Sequence, residues 1–345
     1  MTAAEGSFLG IAKQTALGTP NVTDASFKYL LFNQGAIAPQ NMAIPLDTEV
    51  GGGALMRNVT KVGVTSGGAM EFVPRPETLG SLLLGAFGQV SSALKSPSTT
   101  AYEHTFTLPT DQFAAPYFTL RSAPGNMWGE QMQDCRVSAL GLEWRGAQFV
   151  RGTVGFQGGL PLKVATTTWS AATQVDNGPQ LLAPLATIEL PAATAVKCLS
   201  GSFMAGMAIP LDEQWIVGSY SPDAQDIVAR SFAISLVLKI TDATLYSKMT
   251  YDPAGGSTWV ASLFKEGNIT LKLVSDVKAD GPNNLPYSLS IAGDGNAGSA
   301  GNIVWSASPI GLRAGKQVIM AINGVFTASA TAPITAKLIN LKSSY

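Results

Sequence analysis

The chain has 345 residues, of which 46% are apolar and 13% charged, with a formal net charge of −1. That length suits two domains with sizeable cores, and the near-zero charge excludes a global basic footprint for gripping nucleic acid. No run reaches the roughly 20 apolar residues of a membrane-spanning helix, since the best, Leu79 to Val90, is short and holds three glycines.

Charge is about half of the roughly 25% usual in a soluble domain. A surface that poor in charge tends to self-associate. The opening residues, Met1 to Ser7, have no basic stretch before an apolar one, so no secretory signal is expected.

Taken in chain order, alternation at period two predicts many short strands. Phe27, Tyr29 and Leu31 share a face, as do Phe106 and Leu108, and then Leu140, Leu142 and Trp144. Later come Ile234, Leu236, Leu238 and Ile240, then Ile269, Leu271 and Leu273, and finally Val318, Met320 and Ile322. Clusters such as Asp252 to Gly256 and Asp280 to Asn284 have the residue types of turns. Two segments break the pattern. Leu79, Leu82, Leu83, Ala86 and Phe87 make one helical stripe, with Pro76 suited to its first turn and Gly88 to its cap. A weaker stripe, Leu245 and Met249, predicts a helix over 242–251.

Met-Ala-Ile-Pro-Leu-Asp occurs twice, at Met42–Asp47 and Met207–Asp212, 165 residues apart. Thr78-Leu79 and Thr244-Leu245 each open a predicted helix, and Pro116-Tyr117 and Pro286-Tyr287 each precede a predicted strand. Ser138–Leu142 matches Ser308–Leu312. These landmarks are collinear, with an offset of about 165–170, as for two copies of one β-domain. The expected division is 1–168 and 169–345, with a Ser/Thr-rich linker near Thr166–Val175. A fused pair can close a ring by meeting its neighbour head to tail.

Both hexapeptides read as strand ends, each followed by a long loop, and loops that long are commonly functional. The candidate assembly residues are Asp47, Glu49, Leu55 and Arg57 in the first loop, and Asp212, Glu213, Trp215, Ile216 and Asp223 in the second. Leu55, Trp215 and Ile216 would be apolar anchors, and the acidic residues solvated loop charges.

The chain resembles the tail tube (major tail) proteins of long, non-contractile-tailed bacteriophages. The likeness rests on Leu9-Gly-Ile-Ala-Lys-Gln-Thr-Ala-Leu-Gly-Thr19, on Met70-Glu-Phe-Val-Pro-Arg-Pro-Glu-Thr-Leu-Gly-Ser-Leu-Leu83 and on His104–Leu108. Ile227–Leu236 through Leu245-Tyr246 fits the family's later strand and helix. Gln14 stands where a Glu is expected. The resemblance implies a mainly β fold: two tandem β-sandwich or barrel domains, each flanked by a short α-helix. It also implies trimeric rings of pseudo-sixfold symmetry, stacked into a hollow tube that conducts double-stranded DNA without specific binding. The implied partners are further copies of the chain, a tape measure protein, and tail terminator and tail-tip proteins. The implied place is the virion tail, assembled in the host cytoplasm, with no membrane involved.

No catalytic or metal-binding constellation is found, and no cofactor is implied. His104 is the only histidine and shares a face with Phe106 and Leu108, which suits a strand edge or core. Cys135 and Cys198 form no CxxC pair and are expected to be free. Gly293–Gly298 matches GxGxxG formally but lacks a βαβ context, so a loop is expected. Asp294 and Asn296 lack the remaining ligands of a calcium loop. The alternative to a tube protein is a tandem β-sandwich that binds carbohydrate or acts as an adhesin. That reading favours aromatics clustered on one face, whereas the six tryptophans are scattered.

Overall fold

Alternating sequence becomes strand throughout the protein, whose computed structural model describes residues 7–47, 58–111, 114–165, 175–191, 194–223, 226–240, 243–294, 301–307, 318–328 and 333–345. In chain order the elements are β1 (Phe8–Lys13), β2 (Lys28–Leu30), β3 (Phe32–Pro45), β4 (Val59–Phe72), α1 (Pro76–Phe87), β5 (Gln89–Leu94), β6 (Tyr102–Thr107), β7 (Phe118–Ala123), β8 (Gly129–Arg145), β9 (Arg151–Gly158) and β10 (Pro161–Val164). The second half holds β11 (Leu182–Glu189), β12 (Cys198–Ala208), β13 (Ala229–Lys239), α2 (Thr244–Thr250), β14 (Phe264–Lys265), β15 (Thr270–Asp280), β16 (Leu285–Gly293), β17 (Ile303–Ala307), β18 (Ile319–Phe326) and β19 (Ile334–Asn340). The fold is mainly β, and all strand pairings between these elements are antiparallel.

One long sheet runs β3-β4-β9-β8-β12-β13-β18-β17, with the short β14 beyond β17. A second array is β2-β1-β7-β8-β10. A third runs β11-β15-β16-β19-β6-β5. Strand β8 belongs to two arrays because it bends midway. Its residues 129–135 pair with β7 and β10, and its residues 136–145 with β9 and β12. The bend falls at Asp134, whose φ is +56°. Asp tolerates this left-handed conformation better than most residues.

Alternate positions of the strands point inward. Leu140, Leu142, Phe156, Ile234, Leu236 and Ile322 are buried and join one hydrophobic cluster that spans both halves. Helix α1 lies in this cluster with Leu79, Leu82, Leu83, Ala86 and Phe87 all buried, as its stripe predicts. It ends at Gly88, which caps it at φ +97° and donates its N–H to Leu84 O. Helix α2 forms where expected, but none of its residues is fully buried.

The two halves repeat their pairing pattern. Hairpin β3–β4 corresponds to β12–β13, β4–β9 to β13–β18, and β8–β9 to β17–β18. In the other arrays β1–β7 corresponds to β11–β15, β7–β8 to β15–β16, and β10–β8 to β19–β16. Both hexapeptides lie at the ends of the corresponding strands β3 and β12. The pattern sets β7 opposite β15, not β16, and Pro286 and Tyr287 lie inside β16 instead of before it. Ser308–Leu312, most of the linker and residues 295–298 of the GxGxxG match lie outside the described residues. Among the described residues, no helix is long and apolar enough to cross a membrane.

Candidate assembly surfaces

The chain contains a junction between its own halves. In the long sheet, β12 of the second half pairs with β8 of the first over Ser200–Gly206 and Ala139–Arg145. In the third array, β6 of the first half pairs with β19 of the second, from Ala336 opposite Phe106 to Asn340 opposite Tyr102. Hairpin β5–β6 thereby extends the sheet of the other half.

Helix α1 is completed by residues of the second half. The Asp176 carboxylate accepts the Thr78 N–H at 2.8 Å and the Thr78 hydroxyl at 2.9 Å. Arg230 donates from Nη1 to Phe87 O at 3.1 Å, at the other end of the helix. An anion at the N-terminus and a cation at the C-terminus both complement the helix dipole. Tyr345 lies across the first turn. Its hydroxyl is 3.0 Å from Pro76 O and 2.9 Å from Glu77 O, and it accepts from Asn340 Nδ2 at 2.6 Å. Its ring rests where a Cβ on residue 80 would stand, so only glycine fits at Gly80. Burial pushes the Tyr345 phenol well above its ordinary range.

His104 sits in this junction, fully buried. Asn340 Nδ2 donates to Tyr345 and Pro76, so Asn340 Oδ1 accepts from His104 Nε2 at 2.9 Å. Its Nδ1 is left to accept from the Ser92 hydroxyl at 2.8 Å. Burial lowers the His104 pKa and keeps the ring neutral. The core position expected from its face is what the structure has, and Cys135 and Cys198 are free.

The second candidate loop also spans the halves. Trp215 lies on β4 so closely that a Cβ on Gly63 would come within 2.4 Å of its ring. Val64 N–H donates to Tyr220 O at 2.8 Å. Asp212 and Glu213 are exposed in a 3-10 turn, Ile216 is exposed, and Asp223 N–H donates to Gln214 O. Asp47 is exposed just beyond β3, while Glu49, Leu55 and Arg57 lie outside the described residues. Exposed Met42, Ile44, Leu46 and Val59 flank the hairpin end near which the Trp215 loop packs. Sequence reasoning singled out Trp215 but missed Gly63, Asp176, Arg230 and Tyr345, which meet their partners across 98 residues or more.

Outside the junction, one long edge is bare among the described residues. β3 has 14 residues, mostly exposed, and pairs there only with β4. The solvent face of the long sheet is made mostly of small and uncharged side chains. One register row reads Gln34, Glu71, Thr153, Gly141, Met204, Ala233, Val325 and Val304 across all eight strands. The next pairs Arg151 with Glu143 and continues through Ser202, Ser235, Asn323 and Ser306. A shallow depression of about 510 Å³ lies over part of this face. Among the described residues no group of His, Cys, Asp and Glu could hold a metal ion.

Long antiparallel sheets with an uncovered edge offer backbone groups to which another chain can add a strand. A family model described as phage tail tube protein matches residues 5–336, nearly the whole chain, and the chain belongs to that family. It is a structural component of the phage virion. No curated protein matches it.

Proposed function

We propose that the chain is a fused pair of similar units, 1–168 and 169–345, and that three chains close head to tail into a ring. Rings then stack into the hollow tube of a long, non-contractile tail, the conduit for DNA. The observation that carries this reading is the bare edge of β3. Its counterpart β12 is covered on the same side by β8. A uniform ring needs every such edge covered, and a neighbouring chain supplies the missing strand for β3. An uncovered 14-residue edge strand is otherwise an aggregation hazard. The six matching pairings support equivalence of the halves. The number three comes from the family resemblance, as do the tape measure, terminator and tip proteins as partners and assembly in the host cytoplasm.

On this reading the small-residue face of the long sheet lines the passage. On this face Glu71 and Glu143 balance Arg145 and Arg151, and Lys239 and Lys265 add two positive charges, so DNA phosphates meet only a weak attraction. The hairpin end with Ile44, Leu46 and Val59, beside Ile216 and Tyr220, forms the contact between stacked rings. Asp47, Asp212, Glu213 and Asp223 border it.

Electron microscopy and native mass spectrometry of the purified chain test this directly. The expected species is a ring of three times the 35.9 kDa chain mass, stacking into tubes. Hydrogen exchange should slow at β3 amides on assembly. A chain that stays monomeric at high concentration, or β3 amides that exchange equally fast in the tube, would overturn the proposal.

A further inference from the structure

Hairpin β5–β6 lies between α1 and β7, and its strand β6 covers β19. The corresponding stretch of the second half, between α2 and β15, is Tyr251–Leu263 followed by the short β14. This stretch forms no strand before Phe264 and, among the described residues, covers nothing equivalent in its own chain. It is instead exposed and apolar: Trp259 is 69% accessible and Leu263 62%, with Tyr251 and Val260 beside them. Val260 N–H donates to Tyr251 O at 2.9 Å, so the stretch is folded back on itself. Several large apolar groups exposed together on a folded surface mark an interaction site.

The strand corresponding to β19 is β10. It pairs with β8 on one side, as β19 pairs with β16. Its other side, where β19 receives β6, has no strand among the described residues. Leu160 and Leu162 are exposed there. One chain therefore carries both members of a missing contact, on opposite halves.

We propose that Tyr251–Leu263 of one chain seats on the bare side of β10 in a second copy, making an outer seam that repeats the β6–β19 contact between chains. The proposal rests on the ring reading and adds a second contact to it. The seam is polar in the sense of direction: the second half always gives and the first half always receives. The occupant of β10 is thus a copy of this chain, since the same pairing is already made within it.

Leu162→Arg and Trp259→Arg test the seam, with thermal melting of each monomer as the check on folding. Both side chains are exposed, so the monomers should melt like the parent. Each variant alone should lose at least about tenfold in assembled material, as expected for a buried apolar anchor. An equimolar mixture has one intact seam and should stop at dimers. In the parent protein, amides of 161–164 and 251–263 should exchange more slowly after assembly. If both variants assemble like the parent while β3 amides still slow, the outer seam is wrong and the ring reading stands. If the variants fail but 161–164 and 251–263 stay unprotected in the parent assembly, the seam is again wrong. If β3 amides do not slow either, the ring reading itself fails.

Discussion

Gln14 departs from the Glu that the family resemblance leads one to expect, and the structure gives the reason. Its Oε1 accepts the Asp134 N–H at 2.7 Å, and its Nε2 donates to the Asp134 carboxylate at 2.9 Å. Gly18 N–H donates to the same carboxylate at 2.7 Å. The amide thus pins the left-handed residue at which β8 bends. In Gln14→Glu a second carboxylate would face Asp134, and the like charge would raise the folded pKa of the introduced acid. A raised folded pKa means stability is kept at low pH and lost as pH rises. Chemical denaturation should show a deficit of about 1–3 kcal/mol at pH 7, shrinking as pH falls towards about 4, the unfolded value for Glu, and constant below it. A second pH effect comes from His104, and its sign is opposite. Its folded pKa lies below its unfolded value of about 6.5 because burial disfavours the charge. Its contribution is therefore complete above that value and falls as the unfolded chain takes up a proton below it. His104→Gln should flatten stability between pH 7 and 5, the window just below the unfolded value and above most carboxylates.

At the scale of elements, α1 was legible in the sequence because a helix is coded locally. Five apolar residues at helical spacing, an early proline and a following glycine suffice. The side-chain partners at its two ends were not legible, because Asp176 and Arg230 come from the other half. Asp176→Ala should cost about 0.5–2 kcal/mol, the usual price of a lost N-cap. Arg230→Met should cost a similar amount by leaving Phe87 O and Ala114 O without their donor. The two sites are separated by a 12-residue helix, about 18 Å, so denaturation of the double variant should show near-additive losses. The Trp215 loop makes a sharper case. Gly63 reads in sequence as a small residue in a strand, and only the packed ring explains it. Gly63→Val should displace Trp215, and the readout is the Val64 amide, whose bond to Tyr220 O would open. Its exchange should speed up while amides in β12 and β13 stay protected.

For the whole molecule, composition and alternation were enough to indicate a mainly β fold, and the repeated hexapeptide marked two corresponding strands. The way the halves interlock was hidden. Edge pairing such as β8 with β12 or β6 with β19 uses backbone groups that every residue carries, so no side-chain pattern announces it. The bend in β8 was hidden for a similar reason, since no glycine or proline marks it. The sparsely charged face of the long sheet offers one more test at this scale. Ser202→Lys with Ser235→Lys adds two positive charges per chain to the proposed passage. DNA release from phage carrying both should slow, and raised salt should restore it.

The junction also orders events in time. The ribosome delivers β6, β8 and α1 long before their partners β12, β19, Arg230 and Tyr345 exist. At about 5–20 residues per second, the second half takes roughly 10–30 s to emerge. Throughout that interval the nascent first half has two open strands and an unfinished helix. Two ribosomes close together on one message would expose such halves to each other. An intertwined dimer, each first half completed by the other chain's second half, is then the natural misassembly of this protein.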